Sequence, residues 1–233
     1  MNYVILNGIK SNSIQGLMIQ ELPLISKPQI RTNIETIDGR DGDIITKLGY
    51  SAYDKQLLIG LHGKYDIDEI IEYFNSEGTV TFSNENDKYY NYKILEAIDF
   101  ERLIRFKQAV VTFHVQPFKY SISEGKPEFL IKNNTEVQIN NSGNIFSKPT
   151  LTINGTNTCL VYLNGIQVFS IAFDGNSSIT IDTEALEAYS GSILKNRIVT
   201  GNYDDFYLDV GVNRISFSGN VSYFSIKNYS RWV

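Results

Sequence analysis

Alternation of apolar and polar positions predicts strands at 3–6, 16–21, 29–37 and 43–50. The period then changes. Asp66-Ile-Asp-Glu69 has the spacing of a helix capping box, and Ile67, Ile70, Ile71 and Phe74 follow at i, i+3, i+4 and i+7. This predicts a helix over 66–76, stopped by Glu77-Gly78. Strand patterning returns at 79–83, 89–100 and 103–115, the last two long and facing each other across Asp99–Arg102. One helix against antiparallel strands makes an α+β layer arrangement.

After residue 125 the pattern is nearly all strand. Thr150-Leu-Thr-Ile153 alternates, as do 178–182, 213–217 and 221–228. Cys159–Leu163, Asn164-Gly165 and Ile166–Ile171 form a strong hairpin signal, because Asn-Gly supplies positive φ at both turn positions. Short strands with Gly and Asn turns predict a β-sandwich. The fold class is therefore mainly β: an α+β N-terminal domain of β-sheets with one helix at 1–125, and a C-terminal β-sandwich at 126–233. Ser121-Ile-Ser-Glu-Gly-Lys-Pro127 between them is small, polar and punctuated, as linkers are.

Composition sharpens this division. Residues 1–125 hold 16 Asn+Ser and the shorter remainder holds 26. The first part carries 13 basic and 17 acidic residues, the second 8 and 9, within a total net charge of -5 over 233 residues. A mildly acidic chain has no general electrostatic reason to bind nucleic acid or an anionic membrane. Apolar runs are far shorter than the ~18–20 residues of a membrane span. The start lacks the pattern of a signal peptide, which implies synthesis in the cytoplasm. The 30 Ile and 22 Asn against 6 Ala suggest a low-GC genome, and aromatics at 12% favour strands.

Candidate chemistry is sparse. The lone Cys159 excludes an internal disulfide and lies in the apolar run Thr-Cys-Leu-Val-Tyr, as a buried packing residue would. Asp38-Gly-Arg-Asp-Gly-Asp43 offers carboxylates for a calcium loop but lacks the EF-hand spacing, so a Gly-rich turn is the better reading. His62 and His114 lie 52 positions apart, and His114 sits in a strand. Asp66 with Asp68, or Asp204-Asp205, could serve glycoside hydrolysis, but Asp66 caps the helix and the second pair lies in a loop. No phosphate-binding, dinucleotide-binding, nucleophile-elbow or zinc-protease motif is present. We therefore expect no catalytic residue, no cofactor, no metal and no enzyme activity. The aromatic residues near the end (Tyr203, Phe206, Tyr207, Tyr223, Phe224, Tyr229, Trp232) could stack on sugar rings, but their spacing suits alternate core positions. No cluster of an exposed aromatic with Asn, Asp or Arg can be assembled from the sequence, so tight glycan binding is not expected.

Several stretches, in order along the whole chain, resemble the distal tail protein (Dit) family of long-tailed siphophages. Phe113-His-Val-Gln-Pro-Phe-Lys-Tyr120, with Pro117 and Tyr120, resembles that family's F-x-V-x-P-x-K-Y end of the first domain. Asn141-Ser-Gly-Asn144 and Lys148-Pro-Thr-Leu-Thr-Ile-Asn-Gly155, with Gly143, Pro149 and Gly155, resemble the opening of the second. Gly211-Val-Asn-Arg-Ile-Ser-Phe-Ser-Gly219, with Gly211, Asn213 and Gly219, is similar to G-x-N-x-I-x-F-x-G. Tyr229-Ser-Arg-Trp-Val233 matches a basic-aromatic ending that includes Trp232, and Gly39 and Gly42 fall in a Gly-rich turn of the N-terminal half. One departure stands out. Asp205-Phe-Tyr-Leu208 replaces an expected G-x-F-P and lacks its proline, which puts the local loop shape in question.

These positions suit structural work. Pro117 is expected to end a strand, Gly143 and Pro149 to set a turn and a strand entry, and Gly211 and Gly219 to flank the last hairpin strand around Asn213. The resemblance implies a hexameric ring built by the first domain at the end of a tail tube, with a galectin-like second domain outside. It implies a homo-oligomer that joins the tail tube protein to a tail-associated lysin or spike, to receptor-binding proteins in many phages, and to the tape measure. It also implies a place at the virion tail tip, no membrane partner, and DNA passing through the lumen without specific binding. The resemblance leaves open whether the last strand stays with the second domain. The alternative function is a carbohydrate-binding accessory protein that uses the C-terminal sandwich on host wall glycans.

Overall fold

The computed structural model describes residues 1–74, 76–124, 128–130, 136–175 and 178–233. The chain divides into two compact units, Met1–Ile122 with Val233, and Ser123–Trp232. Of the segment read as a linker, residues 125–127 lie outside the described residues.

The first unit contains β1 (Val4–Leu6), β2 (Ile9–Lys10), β3 (Leu17–Glu21), β4 (Ile30–Thr36), β5 (Asp43–Tyr50), β6 (Tyr53–Leu61), α1 (Ile67–Tyr73), β7 (Glu77–Phe82), β8 (Lys88–Lys93), α2 (Phe100–Phe106) and β9 (Gln108–Ser121). Strands pair in the order β2–β1–β7–β8–β9–β6–β3, while β4 and β5 form a separate two-stranded sheet. The core lies on the inward faces of these strands. Leu57 and Ile59 of β6, Val111, Phe113 and Val115 of β9, and Val80 and Phe82 of β7 are buried. The Phe113 ring meets Tyr92 and Phe82 edge-on, at 5.0 and 5.8 Å. Truncating such a ring to alanine costs about 3–5 kcal/mol.

The helix forms where the capping signal lies. The Asp66 carboxylate accepts from the N–H groups of Asp68 and Glu69, satisfying two donors that the helix itself leaves unpaired. Its apolar face covers the sheet through Ile70, Tyr73 and Phe74, and the Tyr73 hydroxyl donates to the carbonyls of Val4 and Ile9. Two details differ from expectation. Ile71 is exposed, and the helix ends at Tyr73, because Glu77-Gly78 opens β7 instead.

The larger correction concerns 89–115. The two facing strands predicted there are separated by a second helix, so the unit has two helices rather than one. Asp99 caps α2 by accepting from the Arg102 N–H, Glu101 pairs with Arg105 one turn on, and Leu103 is fully buried. Lys107, at φ 58°, ends the helix and lets β9 begin at Gln108. β8 and β9 still pair, from Lys88↔Ser121 to Lys93↔His114. Pro117 does not end β9. It falls where the register shifts between Tyr90↔Lys119 and Tyr92↔Val115, an irregularity that needs no donor from it.

The second unit contains β10 (Glu128–Leu130), β11 (Val137–Asn141), β12 (Thr150–Leu163), β13 (Ile166–Ala172), β14 (Ser178–Asp182), β15 (Glu187–Ser190), β16 (Ile193–Leu194), β17 (Val199–Thr200), β18 (Gly211–Lys227) and β19 (Arg231–Trp232). Two long strands, β12 and β18, pair along their lengths with a register shift between Thr156 and Cys159. On one side of the shift the order is β10–β18–β12–β14–β15–β16; on the other, β11, β18, β12, β13 and β17 follow one another. Each long strand thus serves two sheet halves, and their inward residues share one core that includes Ile153, Val161, Phe169, Ile179, Phe217 and Phe224. The predicted segments 213–217 and 221–228 are one continuous strand, not two. The Asn164-Gly165 turn forms as expected, at φ 51° and 84°.

Candidate functional site

The β4–β5 arm is the longest exposed strand pair of the first unit. Every residue of β4 is exposed, and β5 is exposed or half-buried. The pairing sets Ile34 opposite Ile45, which puts both on one face, and they are 58% and 65% exposed. Leu48, Ile30 and Ile37 are exposed as well. The turn at the tip contains Gly39 and Gly42, each at φ +78° with open space around it, beside Asp38, Arg40 and Asp41. A two-stranded sheet is marginal in water by itself.

The arm is anchored by a buried charged cluster. Lys55 points inward from β6 and donates to the carbonyl of Leu24, in the segment leading to β4. Its ammonium lies 5.0 Å from the Tyr90 ring centroid and 5.8 Å from that of Phe82. Asn84 holds the neighbouring carbonyl of Pro23. Glu85 accepts from Lys119 at 2.7 Å and from the Tyr90 hydroxyl at 2.5 Å. Burial pushes the Glu85 carboxyl up, but the hydrogen bonds from Lys119 and Tyr90 and the nearby lysine charges outweigh it and hold the group below the ordinary value. Burial lowers the Lys55 ammonium, partly offset by Glu85.

Of the groups considered for catalysis, Cys159, His114, Asp66 and Asp204 are occupied otherwise. The Cys159 side chain is fully buried, and burial pushes its thiol up to about 11, the reverse of an activated nucleophile. His114 pairs through Nδ1 with Asp54 at 2.7 Å. Asp66 caps α1, and Asp204 pairs with Lys148 at 3.0 Å. Among the described residues no three His, Cys, Asp or Glu side chains cluster as metal ligands.

The motif residues of the second unit come together instead as an internal framework. Asn141 is buried, donates to the carbonyls of Ile145 and Leu208, and accepts from the Gly143 N–H. A Cβ on Gly143 would lie 2.2 Å from the Arg231 carbonyl. Arg231, itself buried, donates to the Phe146 carbonyl and pairs with Glu184. The Pro149 carbonyl accepts from the Thr183 hydroxyl. Asn213 is fully buried and bridges Asp209 and Gly211. Gly155 and Gly219 lie against opposite strands, where a Cβ would meet Asn220 O at 2.7 Å and Thr158 O at 2.3 Å. Gly219 thus serves inside β18, not at the end of a hairpin strand as expected. Gly211 opens that strand at φ +93°. Trp232 lies half-buried in β19, and Tyr120 stacks on Tyr89 in the first unit at 5.5 Å. Sequence reasoning missed Lys55 and Glu85, and had Lys119 only as the lysine of the F-x-V-x-P-x-K-Y stretch, without its role as the partner of Glu85; an inward lysine in an otherwise alternating strand was the one signal for Lys55.

No family model matches the sequence, and no curated protein matches it at a significant level. Solved structures do. The Dit protein of phage SPP1, described as a paradigm of the hub adsorption apparatus in phages that infect Gram-positive hosts, superposes with a TM-score of 0.67 at 15% identity, over 98% of this chain and 99% of that one. A chain of the phage P2 baseplate in its activated conformation with calcium gives 0.54 at 12% identity, over 98% of each chain. The strontium form of that baseplate gives 0.52 at 12%. The fold of this chain is therefore that of phage tail hub and baseplate proteins, end to end.

Proposed function

We propose, from the fold this chain shares with a phage tail hub protein, that it is a structural, non-enzymatic distal tail protein of a siphophage or prophage. In this reading it forms a hexameric ring that joins the tail tube to the tail-tip lysin or spike and to receptor-binding proteins, at the tip of the virion tail. The β4–β5 arm is the observation that carries the ring. An exposed hairpin with Ile34 and Ile45 on one face has no cover within its own sheet, and a second copy of the chain supplies one by extending or packing on it. A head-to-tail contact of this kind closes into a ring when its rotation divides the circle. The ring belongs to residues 1–125, and the second unit decorates it. The acidic balance of residues 1–125, 17 acidic against 13 basic, favours a lumen that repels the DNA backbone and lets it slide.

The test is mass in solution by light scattering with negative-stain imaging of the full chain, alone and with the tube protein. Six-fold rings are expected. A chain that stays monomeric at high concentration and does not dock on the tube overturns the reading and favours a free-standing accessory protein.

A further inference from the structure

We propose that a cleft in the second unit, lined by Asp205, Tyr207, Asp209 and Gln167, binds a pyranose ring of a neutral, hydroxyl-rich saccharide. The site grows from the end of a 3-10 turn, Tyr203–Asp205, and the irregular residues that follow it. Phe206 and Leu208 are fully buried, while Asp205, Tyr207 and Asp209 are exposed and all three line the cleft. This is the stretch where the chain departs from the G-x-F-P it was expected to have. The β12–β13 hairpin turn faces it and brings Asn164, Ile166 and Gln167 to the opposite wall. The cleft between them has a volume of about 310 Å³, at the lower end of the ~300–1,000 Å³ of small-ligand sites.

The walls are held in place before any ligand arrives. Tyr207 is 38% exposed, and its ring rests edge-on against Phe146 at 5.4 Å. Phe146 in turn lies 4.9 Å from the buried Arg231 guanidinium, which its own carbonyl anchors. Asp209 is fixed by both its N–H and its carbonyl to the side chain of Asn213. Asn164 accepts from the Arg214 N–H, which sets the turn. A rigid aromatic face and pre-placed polar groups reduce the ordering cost of binding.

The chemistry of the free groups selects the ligand. Asp204 is paired with Lys148, but the carboxylates of Asp205 and Asp209 and the amide of Gln167 have no side-chain partner among the described residues. No cationic side chain lines the cleft, so two negative charges exclude phosphate-bearing and other anionic polymers. Three polar side chains disfavour a purely apolar molecule. Two carboxylate acceptors and an amide suit the hydroxyls of a sugar, and the exposed part of the Tyr207 ring offers an apolar surface for sugar C–H groups. A single shallow cleft of this kind gives weak, about millimolar, affinity. If the ring reading holds, six copies engage a repeating polymer together and the weakness is overcome by avidity.

The test is chemical-shift titration of the isotope-labelled full chain with neutral monosaccharides (glucose, galactose, rhamnose, N-acetylglucosamine), beside glycerol phosphate and a lysine-rich peptide. We expect at least one neutral sugar to shift the amides of 163–168 and 205–210 with about millimolar affinity. Tyr207→Ala and, separately, Asp209→Asn weaken it by roughly tenfold, a difference of ~1.4 kcal/mol. Asp209→Asn retains the backbone bonds to Asn213 and guards against a folding artefact. Shifts elsewhere, binding unchanged in both variants, no response to any neutral sugar, or preference for the phosphate or the peptide overturns the proposal. None of these outcomes depends on ring formation, which is read by mass.

Discussion

Glu85 shows how one residue ties local chemistry to the arm. It neutralises the inward-facing Lys119 and steadies the charge of Lys55, which pins Leu24 at the root of β4. Removing one partner of a buried charged set costs about 3–5 kcal/mol, because the other charges stay buried without compensation. Glu85→Gln is therefore expected to lower the urea midpoint sharply at neutral pH. The pH dependence follows from the direction of the shift. The Glu85 carboxyl lies lower in the folded state than in the unfolded one, so its contribution is present above the ordinary carboxylate value and is lost as pH falls through the folded value. Acid titration of stability should show that loss in the native chain and a shallower one in Glu85→Gln. Cys159 makes the opposite case. Cys159→Ser places a hydroxyl in a fully buried, apolar position, and about 1–3 kcal/mol of stability should be lost in chemical denaturation. Assembly should persist, since the thiol is buried in the core of the second unit.

Among the elements, the arm and β18 are the ones whose failure would be most informative. β18 runs for 17 residues only because Gly219, at φ +103°, passes over the Thr158 carbonyl with no room for a Cβ. Gly219→Ala meets both steric contact and an unfavourable φ, and should destabilise the second unit by more than the ~1 kcal/mol that the conformation alone costs. Gly39→Ala, at a similar positive φ in open space, should cost no more than that conformational share. Comparing the two thermal midpoints separates strain from collision. The helices tell a related story at the sequence level. Asp66 announced α1, whereas α2 was hidden by apolar residues at 103, 104 and 106 that also suit a strand. Asp99 and the Glu101–Arg105 spacing were the signals that identify it. β6 has no clean sequence signature, because Lys55 occupies an inward position and breaks the alternation of Leu57, Ile59 and Leu61.

For the whole molecule, the decisive property is association. In Ile34→Asp with Ile45→Asp, two charges are placed on the arm face that the ring reading covers. Circular dichroism and the thermal midpoint should hardly change, since both side chains are exposed in the single chain. Rings should disappear from negative-stain images, with monomer mass in light scattering. Rings that survive the double substitution would move the interface away from the arm.

The sequence by itself determined what depends on neighbours along the chain: the capped start of α1, the Asn164-Gly165 turn, the alternation of the strands, and the lack of a catalytic motif. Those features are set by backbone geometry and side-chain period over a few residues. Its order of Gly, Pro, Asn and aromatic positions also carried the resemblance that the superposition on phage hub proteins now matches at the level of fold. Tertiary structure alone decided the rest. Whether 103–106 coils or extends, whether Lys55 faces in, and whether Asp205, Tyr207 and Asp209 share a cleft with Gln167 depend on contacts between residues dozens of positions apart. Such contacts leave no local period. A buried lysine or an open cleft has its cause in the partners that packing supplies, and those partners are fixed only when the strands have found their register.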